Sequence, residues 1–215
     1  MTGKQRLRFG AKRAIDLALS VISLAILVMP FLVVAVWIKS DSSGPVFFRQ
    51  TRPGKNKKPF RVWKFRTMLH RPKATGPEAP PVRGDVRVTR AGRVLRRSGL
   101  DELPQLVNVL SGQMSLVGPR PTLWERADRF SPQHQHRFDM RPGITGLALI
   151  SGRNRLSWDE KADLDVFYVK HWTLAMDLKI LAKTPWTLLR GEGVYMTPDD
   201  SIASTHRGES PPHTG

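Results

Sequence analysis

The chain has no cysteine. Disulfides and thiolate metal sites are therefore excluded, and a reducing compartment is compatible with the sequence but not required by it. It has no Walker A sequence and no Gly-x-Gly-x-x-Gly turn, so nucleotide binding through those loops is not expected. Acidic residues are scarce: 18 Asp and Glu stand against 35 Lys and Arg, a net charge of +17 over 215 residues. Such an excess points to a polyanionic partner, whether nucleic acid, anionic lipid or phosphorylated substrate; the plainer alternative is a basic, soluble surface. There is no internal repeat and no second long apolar run. The length allows one compact domain with a core, an anchor and a tail.

The apolar run, residues 17–38, holds 22 residues without a charge. At about 1.5 Å per residue it would reach roughly 33 Å, enough to cross a bilayer core. A cleaved signal fits poorly, because Ile38-Lys39-Ser40-Asp41 has no small-x-small site. Pro30 removes a helix hydrogen bond and clashes with the preceding turn, which predicts a kink. Lys4, Arg6, Arg8, Lys12 and Arg13 precede the run, and Lys39, Arg49, Arg52, Lys55, Lys57 and Lys58 follow it. Basic flanks favour the cytoplasmic side, here at both ends. A re-entrant helix that dips in and returns satisfies both; a spanning anchor is the alternative. The chain thus divides into a basic N-terminus with a membrane helix (1–40), a cytoplasmic domain (41–196) and a Ser-, Thr-, Pro- and Gly-rich tail (197–215) expected to be disordered.

Within the domain, residues 46–50 and 60–65 have strand character around a Pro-Gly turn, a hairpin pattern. Pro72 to Gly84 is Pro-rich and reads as a loop. Residues 93–110 are helical in pattern with an interruption at Gly99, and Pro104 requires a helix start close before it. Ser157-Trp158-Asp159-Glu160 has capping-box spacing and opens a helix to about Lys170. Residues 172–189 form an apolar stretch with interspersed Lys, either an interfacial amphipathic helix or one packed on the core.

Asp101 and Glu102 are adjacent carboxylates at a predicted helix start in a very basic chain. A carboxylate can attack phosphorus, and Mg²⁺ with arginines would offset the charge of a diphosphate. The competing reading is that Ser98-x-x-Asp101 is a capping box. Arg120 lies between Pro119 and Pro121, a rigid presentation that suits bidentate phosphate binding; a solvated turn is the alternative. Arg141-Pro142-Gly143 forms a similar turn. His134 and His136 lack a carboxylate at ligand spacing and are assigned to an exposed loop.

Taken in order, these segments resemble the bacterial sugar transferase family, the monotopic polyprenyl-phosphate phosphoglycosyl transferases. The likeness rests on the Pro-containing anchor, Gly44-Pro45-Val46-Phe47-Phe48-Arg49-Gln50-Thr51-Arg52-Pro53-Gly54, Lys64-Phe65-Arg66-Thr67-Met68 and Asp101-Glu102-Leu103-Pro104-Gln105. It continues through Ser115-Leu116-Val117-Gly118-Pro119-Arg120-Pro121, Arg141-Pro142-Gly143-Ile144-Thr145-Gly146 and Asp177-Leu178-Lys179. Met29, Leu147 and Leu149 depart from the residues common in such proteins. The resemblance implies a mixed, helix-rich α/β domain with a kinked re-entrant helix broken at Pro30 and interfacial amphipathic helices. It implies an enzyme on the cytoplasmic face of the bacterial inner membrane that passes a sugar 1-phosphate from a UDP-sugar to undecaprenyl phosphate and releases UMP. Asp101 would be the nucleophile, Asp101 and Glu102 would hold Mg²⁺, and Arg96, Arg120, Arg52 and Arg141 would bind substrate phosphate. Anionic lipids are expected partners, a homo-oligomer is open, and nucleic acid is not expected, since aromatic residues are not interleaved with the basic ones. The alternative is a non-enzymatic, membrane-tethered basic module that binds anionic partners.

Overall fold

The computed structural model describes residues 3–70 and 85–190. The loop expected at Pro72–Gly84 and the tail expected from residue 197 lie outside the described residues. The architecture is mixed and helix-rich. A long helix α1 (Gly3–Asp41) leads into the hairpin β1 (Phe47–Pro53) and β2 (Pro59–Phe65). Next come α2 (Arg90–Ser98), a 3-10 helix (Leu100–Gln105), α3 (Leu106–Leu110), β3 (Ser115–Val117) and α4 (Trp124–Ala127). After a 3-10 helix (His134–Asp139) follow β4 (Gly143–Thr145), α5 (Leu147–Ser151), a short 3-10 turn (Arg153–Arg155), α6 (Trp158–His171) and α7 (Leu174–Leu189).

The expected hairpin forms, with Phe47 opposite Phe65 and Pro53 opposite Pro59. Strands β3 and β4 form a second, parallel pair. Ser157 caps α6 as expected: its hydroxyl accepts from the Glu160 amide at 3.2 Å, and the Glu160 carboxylate accepts from the Ser157 amide at 2.7 Å. The main core joins Val62 of β2, Val109 of α3, Met114, Val117, Tyr168 and Ile180. Burying each such aliphatic side chain contributes about 1.5–3 kcal/mol. The helix over 174–189 presents Ile180 to that core while Leu178, Trp186 and Leu189 stay exposed.

Helix α1 is continuous through Pro30, so the break expected there is not a break in the helix. Packing on both sides of the proline accounts for this. Leu24 and Leu27 lie on the main core, while Phe31, Val34 and Ile38 lie on a second cluster with Phe65, Ala91 and Leu95. The contacts recur every three or four residues, one face of a helix. The opposite flank leaves Val21, Ile26, Met29, Val33 and Val36 exposed, each by more than half.

Both ends of α1 are tied to the same domain by polar contacts. Near the start, Lys12 Nζ donates to Asp177 Oδ2 at 2.7 Å and to the Val117 carbonyl at 3.0 Å. Tyr168 OH donates to Asp177 Oδ1 at 2.6 Å and Trp172 Nε1 to Oδ2 at 3.0 Å. One turn on, Asp16 accepts from Ser115 Oγ at 2.8 Å and from the Leu116 amide at 3.0 Å. At the far end, Arg66 Nη2 donates to the Ile38 carbonyl at 3.3 Å and to the Ser42 carbonyl just past the helix at 2.6 Å. Asp41 accepts from the Ala91 amide at 2.8 Å, at the start of α2.

Candidate active site

Gly99 ends α2 in the left-handed region, at φ 73°, a conformation that suits glycine. The turn it makes launches the 3-10 helix that carries Asp101 and Glu102 in its first turn, with Pro104 buried inside it. The capping alternative for Asp101 is overturned. Ser98 lies in α2 and donates its hydroxyl back to the Val94 carbonyl at 2.9 Å, and Gly99 occupies the cap position. Asn108 fastens α3 against β2, accepting from the Trp63 amide at 3.0 Å and donating to the Arg61 carbonyl at 2.8 Å. This holds the acidic pair over the hairpin.

The two carboxylates have different surroundings. Glu102 is clasped by cations: Lys64 Nζ donates to Oε1 at 2.7 Å, Arg120 Nη1 donates to Oε2 at 2.8 Å, and Arg120 Nη2 also donates to Oε1. Burial alone would raise its pKa, but the charges of Arg120 and then Lys64 outweigh burial and hold the carboxyl well below the usual range. Asp101 is buried, and among the described residues its carboxylate accepts no hydrogen bond. Burial, then the neighbouring Glu102 charge, pushes its pKa up to about 6, against the opposing pull of Lys64, Arg96 and Arg120.

A cleft of about 970 Å³ opens over the pair. Its walls carry ten Lys and Arg side chains and three carboxylates, so an anionic occupant fits. Toward α1 and α7 the lining turns apolar, with Leu27, Leu181 and Leu188. Of the expected site residues, Asp101, Glu102, Arg96, Arg120 and Arg52 all line this cleft. Arg96 Nε donates to Thr67 Oγ1 at 2.8 Å, and Arg52 Nη2 donates to Gln50 Oε1 at 2.6 Å.

Arg141 is a correction. Its guanidinium does not line the cleft but donates to the Gly112 carbonyl at 2.8 Å. The motif around it is structural: Gly143 donates to the Pro119 carbonyl and Gly118 to the Thr145 carbonyl, both at 2.9 Å. A Cβ on Gly143 would lie 2.1 Å from the Gly118 nitrogen, so only glycine allows this backbone approach. The two Gly-Pro turns therefore clamp each other, and the clamp presents Arg120. His134 is a second correction. It is buried, in a 3-10 helix rather than an exposed loop, with Nε2 2.9 Å from Asp163 Oδ1.

Several cleft residues carried no assignment from the sequence. Lys64, inside a recognised motif, becomes the second cation on Glu102. Arg137 Nη2 donates to Asp165 Oδ2 at 2.5 Å and to the Arg120 carbonyl at 2.8 Å, which steadies Arg120 from behind. Burial raises Asp165 to about 6 despite Arg137 beside it. Arg126 lies over the Trp158 ring, its Cζ 3.3 Å from the centroid. Burial, then the charges of Arg129, Arg137 and Arg52, lowers its pKa to about 10. No short-range sequence pattern links these residues.

Among the described residues no group of three or more His, Asp or Glu could hold a metal ion. Two adjacent carboxylates do fit Mg²⁺ in the mode where substrate phosphates and water supply the remaining ligands.

The bacterial sugar transferase family model matches residues 7–191. An uncharacterized sugar transferase of Bacillus subtilis is 42% identical over 186 residues, 86% of this chain and 91% of its own. The UDP-glucose:undecaprenyl-phosphate glucose-1-phosphate transferase of Caulobacter vibrioides is 42% identical over 199 residues, 86% of this chain and 72% of its own. A UDP-N-acetylgalactosamine-undecaprenyl-phosphate N-acetylgalactosaminephosphotransferase of Aeromonas hydrophila is 40% identical over 188 residues, 85% of this chain and 44% of its own.

Proposed function

The chain belongs to the bacterial sugar transferase family and is a phosphoglycosyl transferase; on that premise we propose that it moves a sugar 1-phosphate from a UDP-sugar to undecaprenyl phosphate through an Asp101-linked intermediate. The names of the Caulobacter and Aeromonas relatives differ in the sugar and agree on undecaprenyl phosphate, so the proposal covers the shared chemistry. The observation that carries it is the contrast at the acidic pair. Glu102 is held by Lys64 and Arg120, while Asp101 beside it is buried, lines the cleft and forms no ion pair among the described residues.

In the first half-reaction an Asp101 carboxylate oxygen bonds to the β-phosphorus. The bond from that phosphorus to the bridging oxygen breaks, and its electron pair leaves on UMP. In the second, an oxygen of undecaprenyl phosphate bonds to the same phosphorus, the bond to Asp101 breaks, and the carboxylate is regenerated. Arg120 binds the phosphoryl oxygens, oriented by Glu102 and Arg137. Arg96 serves the same charge from the α2 side. Asp101 and Glu102 would hold Mg²⁺, which when bound neutralises diphosphate charge. The apolar end of the cleft beside α1 and α7 suits the lipid chain of the acceptor.

A pre-steady-state experiment tests the proposal. Without acceptor lipid, the protein should release one UMP per active site in a burst and retain sugar phosphate on the protein. Asp101 must be ionised to attack, so the burst rate should rise with pH through about 6, where its raised pKa lies. A reaction that needs the acceptor present before any UMP appears would refute the covalent route.

We further propose that α1 meets the inner membrane from the cytoplasmic side with its exposed apolar flank and does not cross. Lys12 and Asp16 at one end and Ile38 and Asp41 at the other all contact a single domain. A crossing helix would separate those contacts by the full hydrocarbon thickness, roughly 30 Å. A cysteine introduced near residue 3 should therefore resist an impermeant thiol reagent in sealed cells and react after lysis. Labelling in intact cells would establish a crossing instead.

A further inference from the structure

The cleft wall formed by α4, α6 and the 3-10 helix His134–Asp139 holds donors that have nothing to donate to. Arg126 Nη1, Trp158 Nε1, Thr122 Oγ1 and Arg137 Nε are shielded from solvent, and none has a hydrogen-bond partner among the described residues. All four side chains line the cleft that contains Asp101. Buried polar groups are normally satisfied, so a cluster of unmet donors in one wall calls for a ligand rich in acceptors.

The charge distribution narrows that ligand to an anion. The charged groups that act on Arg126 are Arg129, Arg137 and Arg52, all cations. Asp165, the carboxylate on this wall, is already engaged by Arg137 at 2.5 Å. The Arg126 guanidinium is stacked over Trp158 at 3.3 Å, which fixes its plane before any ligand arrives. A fixed guanidinium fork with an unmet N–H matches two oxygens of a phosphate.

On the transferase reading above, we propose that Arg126, stacked on Trp158, binds the phosphate of the nucleoside monophosphate half of the substrate, the half that departs. As the bond between the two phosphorus centres' bridging oxygen and the β-phosphorus breaks, negative charge accumulates on this departing phosphate. A guanidinium already in place stabilises that charge without reorganising. The same Arg137 group that contacts Asp165 donates to the Arg120 carbonyl at 2.8 Å, which ties this wall of the cleft to Arg120. Arg120 and Arg126 line the same cleft, so each can take one phosphate of a diphosphate.

Binding of UMP and of uridine to the full-length protein in detergent, read by calorimetry and by ligand-induced thermal shift, tests the assignment. Arg126→Met should weaken UMP binding about 10- to 100-fold, the range for losing a charge-assisted hydrogen-bond pair, and leave uridine binding unchanged. Arg126→Lys should fall between, because it keeps the charge and loses the fork. The melting temperature of unliganded Arg126→Met should equal or exceed that of the wild type, since the substitution removes a desolvated cation. Wild-type UMP affinity in Arg126→Met, or equal losses for UMP and uridine, would overturn the assignment. A wild-type protein that binds neither compound would overturn the transferase reading and this assignment with it.

Discussion

Asp101→Asn is expected to lower UMP release by at least about 10³-fold, the scale of losing a covalent nucleophile. Asparagine matches aspartate in size and cannot form the carboxyl–phosphorus bond. The loss should not come from unfolding, and the direction of the pKa shift says why. The carboxyl titrates near 6 in the folded chain, above the ordinary aspartate range, chiefly because it is buried. A raised carboxyl pKa means that ionised Asp101 opposes folding, and that this penalty grows as pH rises from the ordinary aspartate range through about 6 and is constant above it. The neutral amide carries no such penalty, so the variant's melting temperature at neutral pH should match or exceed that of the parent. UMP release and thermal unfolding measured on one preparation separate the two effects. Turnover of the variant within about tenfold of the parent would rule out the covalent mechanism.

The second large effect lies far from the acidic pair. Lys12→Met should destabilise the protein by about 3–5 kcal/mol, the usual result of stripping one partner from a buried ion pair. Lys12 and Asp177 are 8% and 7% exposed at the side chain, so the abandoned carboxylate has little access to water. Tyr168 and Trp172 would still donate to it, but neither carries a positive charge. The unfolding midpoint in detergent should drop by about 10 °C for a chain of this size. Adding Asp177→Asn to Lys12→Met should recover part of the loss, because the unpaired charge disappears. A double variant no more stable than the single would show that shape, not charge, governs this contact.

What could be read from the sequence follows the range of the interaction. The capping box at Ser157 and Glu160, the hairpin around Pro53 and Gly54 and the interruption at Gly99 are local signals, and each sits where its residue types predict. The pairing of Asp101 and Glu102 with Arg120 came from motif order, and the cleft brings them together. Arg141 shows the limit of that route. Its turn resembles that of Arg120, yet the two turns meet through their backbones, and the guanidinium is left to hold Gly112. Lys12 with Asp177, Arg137 with Asp165 and Arg126 with Trp158 are distant in sequence, and periodicity carries no record of such partners. At Pro30 the proline's own preference favoured a break, but contacts with the domain on both sides outweighed it.

The tie between Lys12 and Asp177 has a consequence for how the protein is made. Its two residues are 165 positions apart, so α1 is synthesised well before its partner on α7. During that interval a strongly apolar helix carries an ammonium at Lys12 whose carboxylate partner does not yet exist, while Asp16 meets its partners Ser115 and Leu116 earlier. A charge without its partner resists transfer into lipid, so the docking of this end of α1 is complete only once α7 has been translated.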